Sequence, residues 1–244
     1  MKVSVIIPCY QEEGNIQECL RRIPLLGAET ECLVVDDAST DRTREKIVEL
    51  MASHPHVRLI AFNRNQGKAE AVRAGIAQAS GDVVMILDAD MSVPPEELSL
   101  FVEAVHRDQQ ALVIGTRLVY PFDKRAMSWL NRMSNRVTAW LFSNFLHTRI
   151  TDTLCGTKAL WRNNALHIPR VTDRWGDFGF LLGAAQRNLT IVEVPVHYQP
   201  RMTGSSKMKP FPDGFLLFVS CLQVGCRLLF LRYGRAIRAS SPLQ

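Results

Sequence analysis

The chain has 244 residues, which fits one large α/β domain or two small ones and allows a sizeable hydrophobic core. Hydrophobic residues make up 47% of it and charged residues 22%, a composition that excludes a disordered or fibrous protein. The net charge of +5 is too small to indicate nucleic-acid binding by itself, and we expect no nucleic-acid partner.

Cysteine usage and hydropathy indicate a cytoplasmic protein. The six cysteines form no CxxC pair and lie mostly in apolar surroundings, which is typical of reduced, buried thiols. The apolar run at 3–7 ends at Pro8 and is typical of a strand rather than a signal peptide. The longest uncharged stretch late in the chain, 214–226, is shorter than the roughly 20 residues that a transmembrane helix needs.

Short apolar strands alternate with helices in the first half of the chain. In chain order, the predicted elements are strand 3–7, helix 15–23, strand 31–35, helix 42–52, strand 57–62, helix 68–79, strand 83–87, helix 94–107 and strand 112–116. This alternation predicts an α/β fold with a mostly parallel central sheet and helices on both faces. Because such sheets bind ligands at the carboxyl ends of their strands, we expect the functional site there.

From about residue 124 the pattern changes to basic amphipathic segments. Residues 124–151 contain five Lys and Arg and no acid, with Trp129 and Trp140 beside apolar residues at helical spacing. Residues 212–244 combine aromatic and arginine side chains in the same way. Two interpretations remain open: the apolar stripes pack on the sheet, or the helices dock on an anionic membrane surface.

The triplet Asp88-Ala89-Asp90 follows a predicted buried strand and precedes a helix. Two carboxylates in this position can hold Mg²⁺ or Mn²⁺ while the ion keeps coordination positions for phosphate oxygens. Such an ion neutralises the charge on a departing diphosphate. The chain contains no GxGxxG after the first strand and no P-loop, HExxH or GxSxG motif, which argues against several other enzyme classes.

Several motifs, in this order and spacing, resemble the inverting family 2 glycosyltransferases of GT-A fold. They lie at 3–12 with 15–16, at 34–41, at 65–68 with 71–75, at 88–90 and at 115–117. The later segments 151–158, 194–195 and 201–207 resemble the polyprenyl-phosphate (dolichol-phosphate) mannosyl- and glucosyltransferases. The resemblance covers about residues 2–232.

The resemblance implies a domain plan and a set of site residues. A catalytic domain would span 1–211, with a nucleotide-sugar half (1–117) and an acceptor half (118–211), before a membrane-docking helix and basic tail at 212–244. The nucleotide-sugar site would consist of Pro8, Tyr10, Glu12, Val35, Asp37, Asp88, Ala89, Asp90, Ser92, Arg117, Arg201 and Lys207. The metal would bind Asp88 and Asp90, and the implied catalytic residues are Asp90, Arg117, Asp152 and Arg201.

The activity implied is metal-dependent, inverting sugar transfer from a nucleotide sugar to a polyprenyl phosphate by an enzyme bound peripherally to the cytoplasmic membrane face. The segments 65–68 and 152–158 favour a UDP-sugar over GDP-mannose. Ser92 stands where mannosyltransferases of this group often carry a metal-binding Gln.

Alternatives concern the acceptor and catalysis itself. A phosphate acceptor is largely ionised at neutral pH and needs no general base. A hydroxyl acceptor would need a carboxylate, and Asp152 or Asp177 could serve, although Asp177 could instead cap a helix. A regulator that binds nucleotide sugars without turnover is the alternative of another class, and the oligomeric state is left open.

Overall fold

The computed structural model describes residues 1–121, 123, 126–171, 176–204 and 216–230. The strands are β1 (Lys2–Cys9), β2 (Glu29–Asp36), β3 (Val57–Ala61), β4 (Val83–Ile86), β5 (Ala111–Thr116), β6 (Lys158–Trp161) and β7 (Thr190–Pro195). The helices are α1 (Ile16–Arg22), α2 (Thr43–Met51), α3 (Lys68–Gln78), α4 (Leu98–Arg107, after a 3₁₀ turn at Pro95–Glu97), α5 (Trp129–Leu146), α6 (Arg162–Ala165), α7 (Asp177–Arg187) and α8 (216–230).

All seven strands form one sheet, in the order β3-β2-β1-β4-β6-β5-β7. Every neighbouring pair is parallel except those made by β6, which runs antiparallel between β4 and β5. The mostly parallel sheet predicted from the sequence is therefore confirmed. The sequence did not predict β6 or β7.

Helices cover both faces of the sheet, as predicted. Along β1, Val3, Val5 and Ile7 pack with α1, α2 and α4 on one face, whereas Ile6 packs with α3, α5, α7 and α8 on the other. Gly75 lets α3 approach β1 closely, because a β-carbon there would overlap the side chain of Ile6. Among the described residues, none of the helices is both long and apolar enough to cross a membrane.

The basic amphipathic segments divide their faces between the core and solvent. In α5, Thr138 and Phe142 are buried, whereas Trp129 and Trp140 are 64% and 66% exposed. In α8, one stripe packs in the core, and a β-carbon at Gly225 would overlap the ring of Phe145 of α5. Packing on the sheet thus accounts for one face of each helix only. The tail 231–244 lies outside the described residues.

Candidate functional site

A cleft of about 490 Å³ opens at the carboxyl ends of β1, β2, β4 and β5, and its volume lies within the range typical of small-molecule sites. Most of the predicted nucleotide-sugar residues line it: Pro8, Tyr10, Glu12, Asp37, Asp88, Ala89, Asp90, Ser92, Arg117 and Arg201. The structure thus brings these residues together at the carboxyl edge of the sheet.

The loops around the cleft are held in conformations that side-chain oxygens stabilise. Both carboxylate oxygens of Asp37 accept hydrogen bonds from the turn before α3, from the N–H of Gln66 at 2.7 Å and of Gly67 at 2.8 Å. Left-handed residues follow three of the strand ends, Gln11 at φ 55°, Ala38 at φ 61° and Met91 at φ 55°. Such backbone costs about 1–3 kcal/mol per residue and often marks functional loops.

The two acids of the Asp88-Ala89-Asp90 triplet each pair with a basic side chain. Asp88 Oδ1 lies 2.5 Å from Lys68 Nζ, and Asp90 Oδ2 lies 2.9 Å from Arg201 Nη2. Asp90 Oδ1 accepts a further hydrogen bond from the Ser92 N–H at 2.9 Å. Burial would raise the pKa of the Asp88 carboxyl, but the charge and hydrogen bond of Lys68, together with the charges of Lys158 and Arg201, outweigh burial and lower that pKa. The Asp88 side chain is thus held as a carboxylate.

Arg117 follows the end of β5 and lines the cleft, and its side chain is held by the buried carboxylate of Asp152. Asp152 accepts from Arg117 Nε at 2.6 Å, from Arg117 Nη2 at 2.8 Å and from the Arg117 N–H at 3.1 Å. Burial would raise the pKa of Asp152, but Arg117 outweighs burial and lowers it. Asp152 is 1% exposed and is not among the residues that line the cleft. It is thus placed to position Arg117 rather than to contact a substrate.

Glu193 on β7 in turn orders the segment that carries Asp152. Its carboxylate accepts from the N–H of Thr151 at 2.7 Å and of Asp152 at 3.0 Å. Beyond Arg117, the ring of Tyr198 lies 5.1 Å from the guanidinium carbon, a cation–π arrangement. The guanidinium is therefore fixed between a carboxylate and an aromatic ring.

Asp177 lines the cleft at the start of α7 and does not cap the helix. The capping position belongs to Gly176, in a left-handed conformation at φ 82°, and the Asp177 side chain makes an ion pair instead. Its Oδ1 lies 2.5 Å from Nζ of Lys158, a lysine of β6 that is only 1% exposed. The capping interpretation is wrong because this buried lysine requires a counter-ion.

The segment after β7 crosses the mouth of the cleft and carries Arg201 to Asp90. The Gln199 N–H donates to the carbonyl of Ser92 at 2.9 Å. Further along, Thr203 Oγ1 donates to Oδ1 of Asn15 at 2.6 Å. Lys207, which the resemblance also assigned to the nucleotide-sugar site, lies outside the described residues.

The Glycosyl transferase family 2 model matches residues 4–167, about two thirds of the chain. The chain belongs to glycosyl transferase family 2. It is thus a glycosyltransferase, and its fold is of the GT-A type.

Solved structures agree with this fold. Glucosyl-3-phosphoglycerate synthase from Mycobacterium tuberculosis in complex with phosphoglyceric acid is 21% identical, with a TM-score of 0.71 over 91% of this chain and 79% of that chain. A second structure of that enzyme, with Mn²⁺, UDP-glucose and phosphoglyceric acid, is 21% identical, with a TM-score of 0.71 over 92% and 79%. A mycobacterial protein of solved structure is 22% identical, with a TM-score of 0.69 over 90% of this chain and 74% of that chain.

The acids of this glycosyltransferase fit a divalent metal ion. Asp88 and Asp90 are hard oxygen donors in the cleft, and each already attracts a cationic group. A β-carbon on Gly156 would overlap Asp88 Oδ2, so the space beside this carboxylate depends on a glycine. No cluster of three or more potential metal-binding side chains occurs among the described residues, so such an ion would keep positions for phosphate or water.

One predicted site residue has a different location. Val35 is fully buried among core residues on the α3 face of the sheet and is not among the cleft-lining residues. Because side chains alternate along a strand, its position in β2 turns it into the core.

Sequence reasoning missed Lys68 and Tyr198 as members of the cleft, along with Asn131 and Ser134 of α5. The Asn-x-Gly-Lys segment was the signal available for Lys68, because a lysine that opens a helix behind a glycine turn lies near the strand ends. Nothing in the local sequence around Tyr198 marked it, since its position depends on the path of the chain after β7.

Proposed function

We propose that this glycosyltransferase transfers a sugar, with inversion, from a UDP-sugar to a polyprenyl phosphate at the cytoplasmic membrane surface, using Mg²⁺ or Mn²⁺. The observation that carries the proposal is the exposed apolar face of α5, because the same helix lines the cleft.

The donor class is supported by the cleft and by the similar structures. Glu12 and Asp37 bring carboxylate oxygens to the lining of the cleft, and Arg117 and Arg201 bring positive charge to it. This distribution suits a polar nucleoside joined to an anionic diphosphate. The similar enzyme from Mycobacterium tuberculosis binds UDP-glucose and Mn²⁺, which favours a UDP-sugar here.

Asp88 and Asp90 would hold the metal ion, which would neutralise the diphosphate as it departs. Arg117 donates to anionic oxygens without reorganising, because Asp152 already fixes its guanidinium. Arg201 adds a second cation from the segment that crosses the cleft. These side chains thus hold two anions, the departing diphosphate and the acceptor phosphate, in one site.

The acceptor oxygen forms the new bond to the anomeric carbon from the side opposite the diphosphate, whose bond to that carbon breaks. A phosphate monoester is largely ionised at neutral pH, since its second pKa is about 6, and no side chain has to remove a proton. Asp177 fits this scheme, because Lys158 already engages its carboxylate.

The lipid nature of the acceptor is inferred from α5. Asn131 and Ser134 line the cleft, and the solvent-facing side of the helix, opposite its buried side, exposes what we name the apolar α5 face. It consists of Trp129, Leu130, Met133, Val137 and Trp140, which are 38–66% exposed. Arg132 and Arg136 are exposed beside it, and aromatic and basic side chains together suit an anionic lipid surface. A headgroup phosphate could therefore reach the cleft.

A small phosphorylated acceptor is the second candidate, and one observation favours it. The similar enzyme has been solved with phosphoglyceric acid. A hydroxyl acceptor, unlike an ionised phosphate, has to lose a proton as it reacts. Of the two carboxylates considered for removing that proton, Asp152 and Asp177, it is Asp177 that lines the cleft.

The experiment compares sugar transfer to undecaprenyl phosphate embedded in anionic vesicles with transfer to a short, soluble prenyl phosphate. The variant Trp129→Ala/Trp140→Ala should lose at least roughly tenfold in transfer at the vesicle surface, because two aromatic anchors are removed. It should keep wild-type transfer to the soluble acceptor, because neither tryptophan lines the cleft.

The control variant is Leu25→Ala/Val48→Ala, which removes two other exposed apolar side chains, 92% and 54% exposed, outside α5. It should behave as the wild type in both assays. Equal activity of all three proteins on vesicles would contradict the docking proposal, and transfer to phosphoglycerate alone would replace the lipid acceptor by the small one.

A further inference from the structure

Two basic side chains lie against the two acids to which the metal ion has been assigned. Lys68 Nζ is 2.5 Å from Asp88, and Arg201 Nη2 is 2.9 Å from Asp90. The apposition of Lys68 and Asp88 is built into the fold: Lys68 is the first residue of α3, and the turn before it is tied to Asp37 through the Gly67 N–H at 2.8 Å.

The space around this pair is tight on one side. A β-carbon on Gly156 would overlap Asp88 Oδ2 and would lie 2.7 Å from Lys68 Nζ, so the backbone at 156 packs directly against the pair. The pair remains partly open to the cleft, because the Lys68 and Asp88 side chains are 23% and 31% exposed. A change of partner would therefore take place on the cleft side.

A divalent ion on Asp88 and the ammonium group 2.5 Å from Asp88 Oδ1 repel each other, and because the backbone at 156 packs against Oδ2, the two cations compete for Oδ1. Lys68 must then leave Asp88. Its ammonium stays in a cleft that receives the diphosphate in the same complex, and phosphate oxygens are suitable partners for it.

We propose, on the basis of the proposed function, that Lys68 serves as the counter-ion of Asp88 in the metal-free enzyme and transfers to the diphosphate when metal and nucleotide bind. Arg201 makes the corresponding contact with Asp90. A metal ion that binds without nucleotide has to displace Lys68 from Asp88. A nucleotide that binds without metal finds Lys68 and Arg201 already paired with Asp88 and Asp90. Each ligand removes the obstacle to the other, so the two bind cooperatively, and the coupling is reciprocal.

The test measures binding rather than turnover. Free Mn²⁺ is followed by electron paramagnetic resonance during titration of the nucleotide-free protein, and UDP binding is measured by calorimetry at saturating Mn²⁺. In Lys68→Met, the nucleotide-free affinity for Mn²⁺ should rise about tenfold, because a charge-assisted hydrogen bond no longer competes. The affinity for UDP with Mn²⁺ should fall about tenfold, because a phosphate partner is lost.

These opposite changes distinguish the exchange from a purely structural role, which would weaken both affinities. Lys68→Arg keeps the charge and should stay close to the wild type for Mn²⁺. The matched control is Lys2→Met, which removes the same charge from a lysine paired with Glu29 at 3.5 Å, at the other end of β1. It should change neither affinity.

An unchanged or weakened Mn²⁺ affinity in Lys68→Met would overturn the exchange while leaving UDP binding by the wild type, and so the proposed function, intact. Failure of the wild type to bind UDP with Mn²⁺ would instead overturn the proposed function and the exchange with it.

Discussion

The pair formed by Arg117 and Asp152 allows the most quantitative prediction. Asp152 accepts three hydrogen bonds from Arg117 and one from the Leu154 N–H at 3.0 Å, and its side chain is fully buried. Removing one member of a buried pair leaves an uncompensated charge, at a cost of about 3–5 kcal/mol. In Asp152→Asn one carbonyl acceptor survives, so we expect about 3 kcal/mol of lost stability.

Urea unfolding of a double-mutant cycle measures this coupling. Arg117→Met with Asp152→Asn removes both charges, so the double variant should be about 2–3 kcal/mol more stable than the sum of the single losses predicts. The losses in sugar transfer should also be non-additive, with the double variant losing less activity than the two single losses combined, because Asp152 acts on the cleft through Arg117.

The control cycle uses Arg107 and Glu103, an exposed pair on α4 with side chains 74% and 59% exposed. Its coupling should be about 0.3–0.5 kcal/mol. Additive losses for Arg117 and Asp152, to within about 0.5 kcal/mol, would refute the positioning role.

Three further predictions concern other positions. Burial would raise the pKa of Glu31, but hydrogen bonds from two serines outweigh burial and lower it. The stability that this lowered pKa contributes above the pKa of the unfolded state should therefore be lost as the pH falls from about 5 to 3. In urea unfolding, Glu31→Gln should lose less stability over this pH range. Gly156→Ala pushes a β-carbon into Asp88 and should weaken UDP binding with Mn²⁺ by roughly tenfold in calorimetry, and unchanged affinity would contradict the fit. Ala38→Gly removes the strain of a left-handed alanine and should leave the free energy of unfolding unchanged or raise it by up to about 1 kcal/mol. The control Ala77→Gly, on the exposed side of α3, should lower the free energy of unfolding by about 1 kcal/mol, and thermal unfolding measures both.

The first half of the fold could be predicted because each element there follows its expected period. The strand predicted at 83–87 is β4 at Val83–Ile86, and the helix predicted at 68–79 is α3 at Lys68–Gln78. In these segments local hydrophobic pattern and tertiary burial agree, so the carboxyl ends of the strands were also located correctly.

The strand β6 could not be predicted from its pattern. It has four residues and begins with Lys158, a charged residue that any hydropathy reading assigns to the surface. The structure buries this lysine because Asp177 and the carbonyl of Cys155 satisfy its ammonium, at 2.5 Å each. Such a pairing joins distant parts of the chain, and the local sequence around either partner does not predict it.

The same limit applies to the candidate site. Sequence alone was enough to identify Asp88, Asp90 and Arg117 as site candidates, because these residues directly follow predicted strands. The partners that set their chemistry, Lys68 for Asp88 and Tyr198 for Arg117, come from a different loop in each case. Composition and spacing identify the groups at the strand ends, whereas pairing between loops is decided by the packed fold.

The most direct measurement of the central claim follows labelled sugar from UDP-glucose, with Mn²⁺, into each acceptor separately. The purified enzyme is incubated with undecaprenyl phosphate in anionic vesicles, with phosphoglycerate, or with neither, and the products are separated by organic extraction. We expect label in the organic phase only when the lipid phosphate is present, and loss of that label in Asp90→Asn. Label on phosphoglycerate, or UDP release that is indifferent to the lipid, would contradict it.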